Sequence, residues 1–224
     1  MGKKKKHEQH FENVFWIDNK LCTKNLSPCK KVYDEILIKT KDGEFRTWDA
    51  RRSKPSAAIY KRLHHFPLKK DMKVLYLGFA SGTTGSHFSD IIGKEGVIYG
   101  IEFSERVLRD ALPVAEQRGN IIPILADGRK PEDYSWIEQV DLIYADIAIP
   151  DMSEVFIRNA KTFLKEDGFG MIAIKSRSID VTEKPSVVYK KERQILEKFF
   201  NITDFVTLEP YERDHGFFVL KIKK

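Results

Sequence analysis

The sequence predicts a doubly wound α/β fold. A mostly parallel seven-stranded sheet ends in an antiparallel hairpin, and a small β-rich domain precedes it. Three observations carry this. First, Val74-Leu75-Tyr76-Leu77 runs into Gly78-Phe79-Ala80-Ser81-Gly82-Thr83-Thr84-Gly85, a short buried strand handing over through a glycine turn to a helix. Second, strand-length apolar runs alternate with helical segments from Val74 onward, as parallel strands joined by crossover helices do. Third, Gly78, Glu102, Asp127, Asp146 and Lys175 each fall at or just past the C-terminal end of an expected parallel strand. Those ends line a single crevice in an open α/β sheet.

The N-terminal part comes first in the chain. Residues from about Phe11 to Trp48 read as β-rich, with strands expected at Val14–Ile17, Val32–Ile38 and Glu44–Trp48. Lys41-Asp42-Gly43 between the last two is a hairpin turn signal. This part is too small for a large core of its own and is expected to pack on the larger domain C-terminal to it. Next comes the basic cluster Arg51-Arg52-Ser53-Lys54, running into an alanine-containing helix. Pro55 suits its first turn and makes Lys54 extended.

Further strands are expected at Val97–Ile101, Ile121–Leu125, Val140–Tyr144 and Gly168–Ile174. Helices are expected over about Glu105–Arg118, with Ser104 as its cap, Met152–Leu164 and Pro185–Phe199. Thr203–Leu208 and Phe217–Ile222 close the chain as the hairpin. Ser81, Thr83 and Thr84 offer hydroxyls that could cap the helix after the glycine turn.

With 224 residues the chain makes one good-sized domain and a small appendage. The division falls at residue 54: 1–54 holds a basic tail and the small β-rich domain, and 55–224 the main domain. Hydrophobic residues at 42% suffice for a core, and a net charge of +6 favours a polyanionic partner. The two cysteines, Cys22 and Cys29, lack C-x-x-C spacing and a second pair for zinc; a reduced intracellular protein is a simpler reading than a disulfide. No histidine–carboxylate cluster has metal-ligand spacing, so no metal is expected; His64, His65 and His87 read as surface or packing residues. No apolar run is long enough to span a membrane. The start, Met1-Gly2-Lys3-Lys4-Lys5-Lys6, is basic without an apolar segment behind it, so a mobile basic tail is expected rather than a secretory signal.

The glycines Gly78, Gly82 and Gly85 are spaced G-x-x-x-G-x-x-G, which is not the dinucleotide pattern and disfavours a nicotinamide dehydrogenase. Glu102, about 20 residues beyond the loop, is placed for a ribose hydroxyl pair. Asp127 with Gly128 is placed for an adenine amino group, or simply to cap the next helix. Asp146 and Lys175 sit on adjacent strand ends and can pair. A lysine at a buried strand end is costly without a partner, which favours function for Lys175.

These residues resemble fibrillarin in its short archaeal form, the S-adenosylmethionine-dependent RNA 2′-O-methyltransferase family of box C/D ribonucleoproteins. The resemblance rests on Arg52-Ser53-Lys54 with Ala57-Ala58-Ile59, on Leu75-Tyr76-Leu77-Gly78 with Ala80-Ser81-Gly82-Thr83-Thr84, and on Ile121-Ile122-Pro123. Ile174-Lys175, Ile179-Asp180 and Leu208-Glu209-Pro210-Tyr211-Glu212-Arg213-Asp214-His215 complete it, from about Val32 to the C-terminus. The resemblance implies a Rossmann-like methyltransferase fold with S-adenosylmethionine as cofactor. It places cofactor contacts on Gly78, Thr83, Thr84, Glu102, Phe103, Asp127, Gly128, Asp146, Ile147, Ala148 and Ile149, and a catalytic set on Lys54, Asp146, Lys175 and His215. In that set Lys175 is the general base or alkoxide stabiliser, Asp146 holds its ammonium, and His215 orients the group or the ribose.

The implied partners are a box C/D guide RNA with its rRNA or tRNA target, a Nop-family scaffold protein and a kink-turn-binding ribosomal-type protein. The implied location is the cytoplasm of an archaeal cell. The chain departs from the family at Pro55, Gly128 and Ile149, where leucine, alanine and glutamine are usual. Two rivals stand beside this reading: a stand-alone methyltransferase on another substrate, and a non-catalytic ribonucleoprotein subunit.

Overall fold

The computed structural model describes residues 7–223; the expected basic tail lies outside them. Two sheets form. The N-terminal sheet is antiparallel, with strands β1 (His7–Phe11), β2 (Val14–Ile17), β3 (Lys20–Lys24), β4 (Leu37–Thr40) and β5 (Gly43–Thr47) in the order β1-β2-β3-β5-β4. The expected Val32–Ile38 strand is corrected to β4, five residues later. The Glu35 carboxylate accepts from the backbone N–H groups of Val32 and Tyr33, which wraps that segment around a buried charge instead of into the ladder. Strand β3 is an addition to the strands expected from the sequence. Its signal is the Asp18-Asn19 pair, both at positive φ, in a two-residue turn joining β2 to β3.

The main sheet has seven strands: β6 (Lys73–Leu77), β7 (Val97–Glu102), β8 (Ile121–Leu125), β9 (Val140–Ala145), β10 (Leu164–Lys175), β11 (Phe200–Thr207) and β12 (His215–Ile222). Their order is β11-β12-β10-β9-β6-β7-β8, with β12 antiparallel to both its neighbours and the strands from β10 to β8 paired in parallel. The helices are α1 (Lys54–Tyr60), α2 (Thr83–Ile92), α3 (Glu105–Arg118), α4 (Met152–Phe163), α5 (Ser176–Ile179) and α6 (Pro185–Leu196). Ser104 caps α3 as expected, its Oγ accepting from Val107 N. Gly82, in the left-handed conformation, is the N-cap of α2; none of the three hydroxyls expected there is its cap. The α6 helix stops at Leu196, short of the expected Phe199, because β11 begins at Phe200.

Alternation along the strands sends side chains to two cores. Val74, Tyr76, Leu142 and Tyr144 face α1, α2 and α3; Leu75, Leu77, Ile143 and Ala145 face α4 and α6. The first core also takes in Val14, Leu21 and Trp48 of the N-terminal segment, which therefore packs on the main sheet as expected.

A buried polar cluster joins the N-terminal sheet to α2 and α3. Arg46 Nε lies 2.7 Å from Glu35 Oε1, and Arg46 Nη1 lies 2.9 Å from Asp90 Oδ2 on α2. Arg118 from α3 also pairs with Asp90. Thr23 donates to Asp90, so His87 donates from Nδ1 to Thr23 Oγ1, leaving Nε2 against the Tyr33 hydroxyl. His87 is thus a buried packing residue, stacked on Trp48 with ring centroids 5.1 Å apart.

Candidate active site

The C-terminal ends of β6, β9 and β10 surround a cleft of about 440 Å³, a size typical of small-molecule sites. Its floor is the turn after β6. Gly78 is at φ +81°, and an added Cβ would stand 2.5 Å from the Asp146 carbonyl oxygen. That closeness lets Asp146 N donate to Leu77 O at 2.9 Å, so the turn and the end of β9 are bound together. The glycine turn ends at α2, whose first-turn N–H groups have no partner within the helix and suit an anionic group.

All four residues expected to be catalytic line this cleft: Lys54, Asp146, Lys175 and His215. So do Gly78, Thr83, Thr84, Asp146, Ile147 and Ala148 of the expected cofactor set. Lys54 is the first residue of α1; the extended residue is Ser53, which corrects the expectation by one position. With Pro55 as the second residue of α1, Lys54 Nζ lies 2.8 Å from Asp146 Oδ2.

Two expectations about Lys175 change. The Asp146 carboxylate is held by Lys54, with the Tyr144 hydroxyl at 3.4 Å, and among the described residues it does not pair with Lys175. Lys175 is also exposed, so the cost of burying its charge does not apply. It stands directly opposite His215 in the antiparallel β10–β12 ladder, which brings both side chains to one face. His215 is buried, and its Nδ1 lies 2.7 Å from the Arg213 carbonyl oxygen, which can only accept. Burial, with the Lys54 charge assisting, holds its pKa below the usual histidine value despite that bond. The neutral ring therefore presents Nε2 as a lone pair.

The remaining expected cofactor residues lie outside the cleft's immediate lining. Glu102 ends β7, and its two oxygens accept from Ala80 N and Ser104 N, both at 2.9 Å, so it also fixes the glycine turn. Phe103 beside it is 71% exposed, an unusual position for a phenylalanine. The Asp127 carboxylate is gripped by the Arg129 guanidinium at 2.7 Å, and that bond is the main cause of its lowered pKa. Gly128 accepts through its carbonyl from Asn159 and Tyr134. Ile149 packs on the second core and offers no polar contact. The cleft also holds Arg52, Tyr76, Phe79, Ala80, Ser81, Ala173 and Glu212, which the sequence alone did not assign to the site. Arg52, Tyr76, Ala80, Ser81 and Glu212 belong to stretches that carried the resemblance.

Residues 4–224 match the fibrillarin family. The chain belongs to the fibrillarin family. A fibrillarin-like rRNA/tRNA 2′-O-methyltransferase of Thermococcus onnurineus is 51% identical over 223 residues, covering 97% of this chain and 98% of the relative. Among solved structures, the Methanococcus jannaschii fibrillarin pre-rRNA processing protein matches with a TM-score of 0.94 and 46% identity, over 99% of each chain. Aeropyrum pernix fibrillarin with natively bound S-adenosyl-L-methionine matches with a TM-score of 0.88 and 45% identity, over 96% of this chain and 97% of that one. A fibrillarin from a fibrillarin/Nop5p complex matches with a TM-score of 0.88 and 42% identity, over 96% of this chain and 100% of that one.

Proposed function

We propose that this fibrillarin-family chain transfers methyl groups from S-adenosylmethionine to ribose 2′-hydroxyls of rRNA and tRNA, as the catalytic subunit of a box C/D guide ribonucleoprotein. The observation that carries the reading is the convergence of Lys54, Asp146, Lys175 and His215 on one cleft beside the Gly78 turn. The relatives' activity and the S-adenosylmethionine-bound fibrillarin support it.

The cleft fits that cofactor. The α2 N-terminus suits its carboxylate, Glu102 ends β7 where a ribose hydroxyl pair is held, and exposed Phe103 offers a face for adenine. When bound, the cofactor supplies a methyl group already activated on a sulfonium, so the protein's task is alignment and proton handling. We assign Lys54 and Asp146 to orientation: their ion pair braces the wall between the glycine turn and β9. Lys175 brings its amino group to the developing alkoxide, and His215 Nε2 accepts from the ribose.

The partners in this reading are a guide RNA paired with its target, a Nop-family scaffold, for which the fibrillarin/Nop5p complex is the support, and a kink-turn-binding protein. The net charge of +6 suits phosphate contacts that weaken with salt. We read residues 55–224 as the methyltransferase domain and 1–54 as its small β-rich companion, and the cytoplasm as the location.

The test combines the protein with its scaffold, a kink-turn protein and a guide RNA, and follows labelled methyl into a complementary RNA. Methylation of one guide-specified 2′-oxygen is expected. Cofactor binding without transfer would point to a non-catalytic subunit, and transfer without any guide to a stand-alone enzyme.

A further inference from the structure

Ser53 holds the N-cap position of α1 but does not cap it. Its backbone is extended, at φ −153° and ψ 116°, and its side chain accepts no hydrogen bond from the helix. An N-cap serine ordinarily accepts from the second or third helical N–H. Here the second helical residue is Pro55, which has no N–H, so one of the two usual donors is missing. The Ser53 hydroxyl instead accepts from Thr84 Oγ1 at 2.9 Å, and both residues are buried. Thr84 lies in the first turn of α2, immediately after the glycine turn of the cleft.

Tyr76 and Tyr144 are paired across β6 and β9, with ring centroids 4.7 Å apart. Tyr144 in turn reaches Asp146, and Asp146 holds Lys54, the residue after Ser53. The start of α1 is therefore tied to the cleft wall at two neighbouring residues: Ser53 to Thr84, and Lys54 to Asp146.

We propose that Ser53 and Thr84 form a latch that fixes the start of the Lys54 helix to the start of the glycine-turn helix, making Ser53 a positioning residue for methyl transfer. Two helix starts from distant parts of the chain must keep a fixed separation for Lys54 to meet Asp146. Two short buried hydroxyls set that separation more rigidly than long exposed side chains would. The proposal rests on the methyl-transfer reading above for its kinetic consequence, but not for its structural one.

The experiment compares Ser53→Ala, Thr84→Val and Thr84→Ser in the full chain. Two quantities are read: modification of Lys54 by an amine-reactive reagent, quantified by peptide mass spectrometry without cofactor, and kcat in the assembled particle. A lost hydrogen bond should raise Lys54 labelling about threefold or more in Ser53→Ala and Thr84→Val. The same variants should lower kcat by about fivefold while the KM for RNA stays within about twofold. Thr84→Ser, which keeps the hydroxyl, should restore both. Asp146→Asn sets the scale for a released Lys54. If Ser53→Ala and Thr84→Val leave labelling at the unmodified level while Asp146→Asn raises it, the latch is overturned. A wild-type particle that transfers no methyl would sink the methyl-transfer reading alone, and the labelling would still decide the latch.

Discussion

Lys54 and Asp146, 92 residues apart in the sequence, meet at 2.8 Å where α1 starts and central strand β9 ends, with about a fifth of each side chain exposed. The pair is partly dry, so removing either member leaves the other underused in the wall of the cleft. Asp146→Asn in the assembled particle should lower turnover by about 10²-fold or more, measured as initial rate of labelled methyl incorporation. Unchanged turnover would remove Asp146 from the proposed mechanism.

Lys175 and His215 form the other half of the site, paired across β10 and β12. Lys175 is exposed, so replacing it should disturb chemistry and leave the fold intact. Lys175→Ala is expected to cut kcat by about 10²-fold, with cofactor affinity within about threefold by calorimetry. A variant that lost cofactor affinity and kept kcat would assign Lys175 to binding instead.

Two glycines should respond oppositely to the same added methyl. Gly78→Ala meets the Asp146 carbonyl at 2.5 Å and Ile147 Cγ2 at 2.6 Å, in a backbone conformation that alanine avoids. Its expected cost is about 2 kcal/mol or more in urea unfolding, with cofactor binding lost or weakened. At Gly128 the nearest atoms are 3.8 Å away, ordinary van der Waals contact. Gly128→Ala, the residue usual in the family, should be stable and should bind cofactor normally.

His87 makes stability depend on pH. Burial, with the Arg46 and Arg118 charges assisting, holds its folded pKa well below the ordinary 6.5. The unfolded chain therefore binds this proton more readily, and stability rises with pH in the interval between the two values. The neutral-state contribution is complete above pH 6.5 and is lost as pH falls through the folded value. Its slope is about 1.4 kcal/mol per pH unit for one proton. Urea unfolding at pH 7.5, 6.0 and 5.0 measures it, and His87→Gln should flatten the dependence whatever its effect at pH 7.5. An unflattened curve would assign the dependence to other groups.

Arg46 tests how far the N-terminal sheet depends on the main one. Its guanidinium, Glu35 and Asp90 are all fully buried. Arg46→Met leaves the Glu35 and Asp90 carboxylates buried with less compensation, at a cost of about 3–5 kcal/mol. Circular dichroism melting should show a single lowered transition. Loss of the N-terminal sheet alone, with the main sheet melting as before, would instead mark two separately folding units.

The sequence by itself determined the alternation of the main sheet, although β10, β11 and β12 start at Leu164, Phe200 and His215, ahead of the expected Gly168, Thr203 and Phe217. Alternating apolar runs and the Ser104 cap placed β6 to β9 and α3 to within about a residue, because local periodicity and capping are written in neighbouring residues. It also placed the four residues of the proposed catalytic set, because polar residues at parallel strand ends share one crevice and the fibrillarin stretches are specific.

Only the tertiary structure decided who pairs with whom. Adjacent strand ends made Asp146 with Lys175 a reasonable pair, but α1 folds back to deliver Lys54 to that carboxylate, and no local pattern encodes that approach. The strand expected at Val32–Ile38 gave way to a turn around Glu35 because its carboxylate gathers the nearby backbone donors of Val32 and Tyr33 and is held in place by buried Arg46 from β5. His87 reads as a surface or packing residue in the sequence. It becomes a buried polar joint once the N-terminal sheet closes over α2, because burial and hydrogen bonding are properties of the assembled chain.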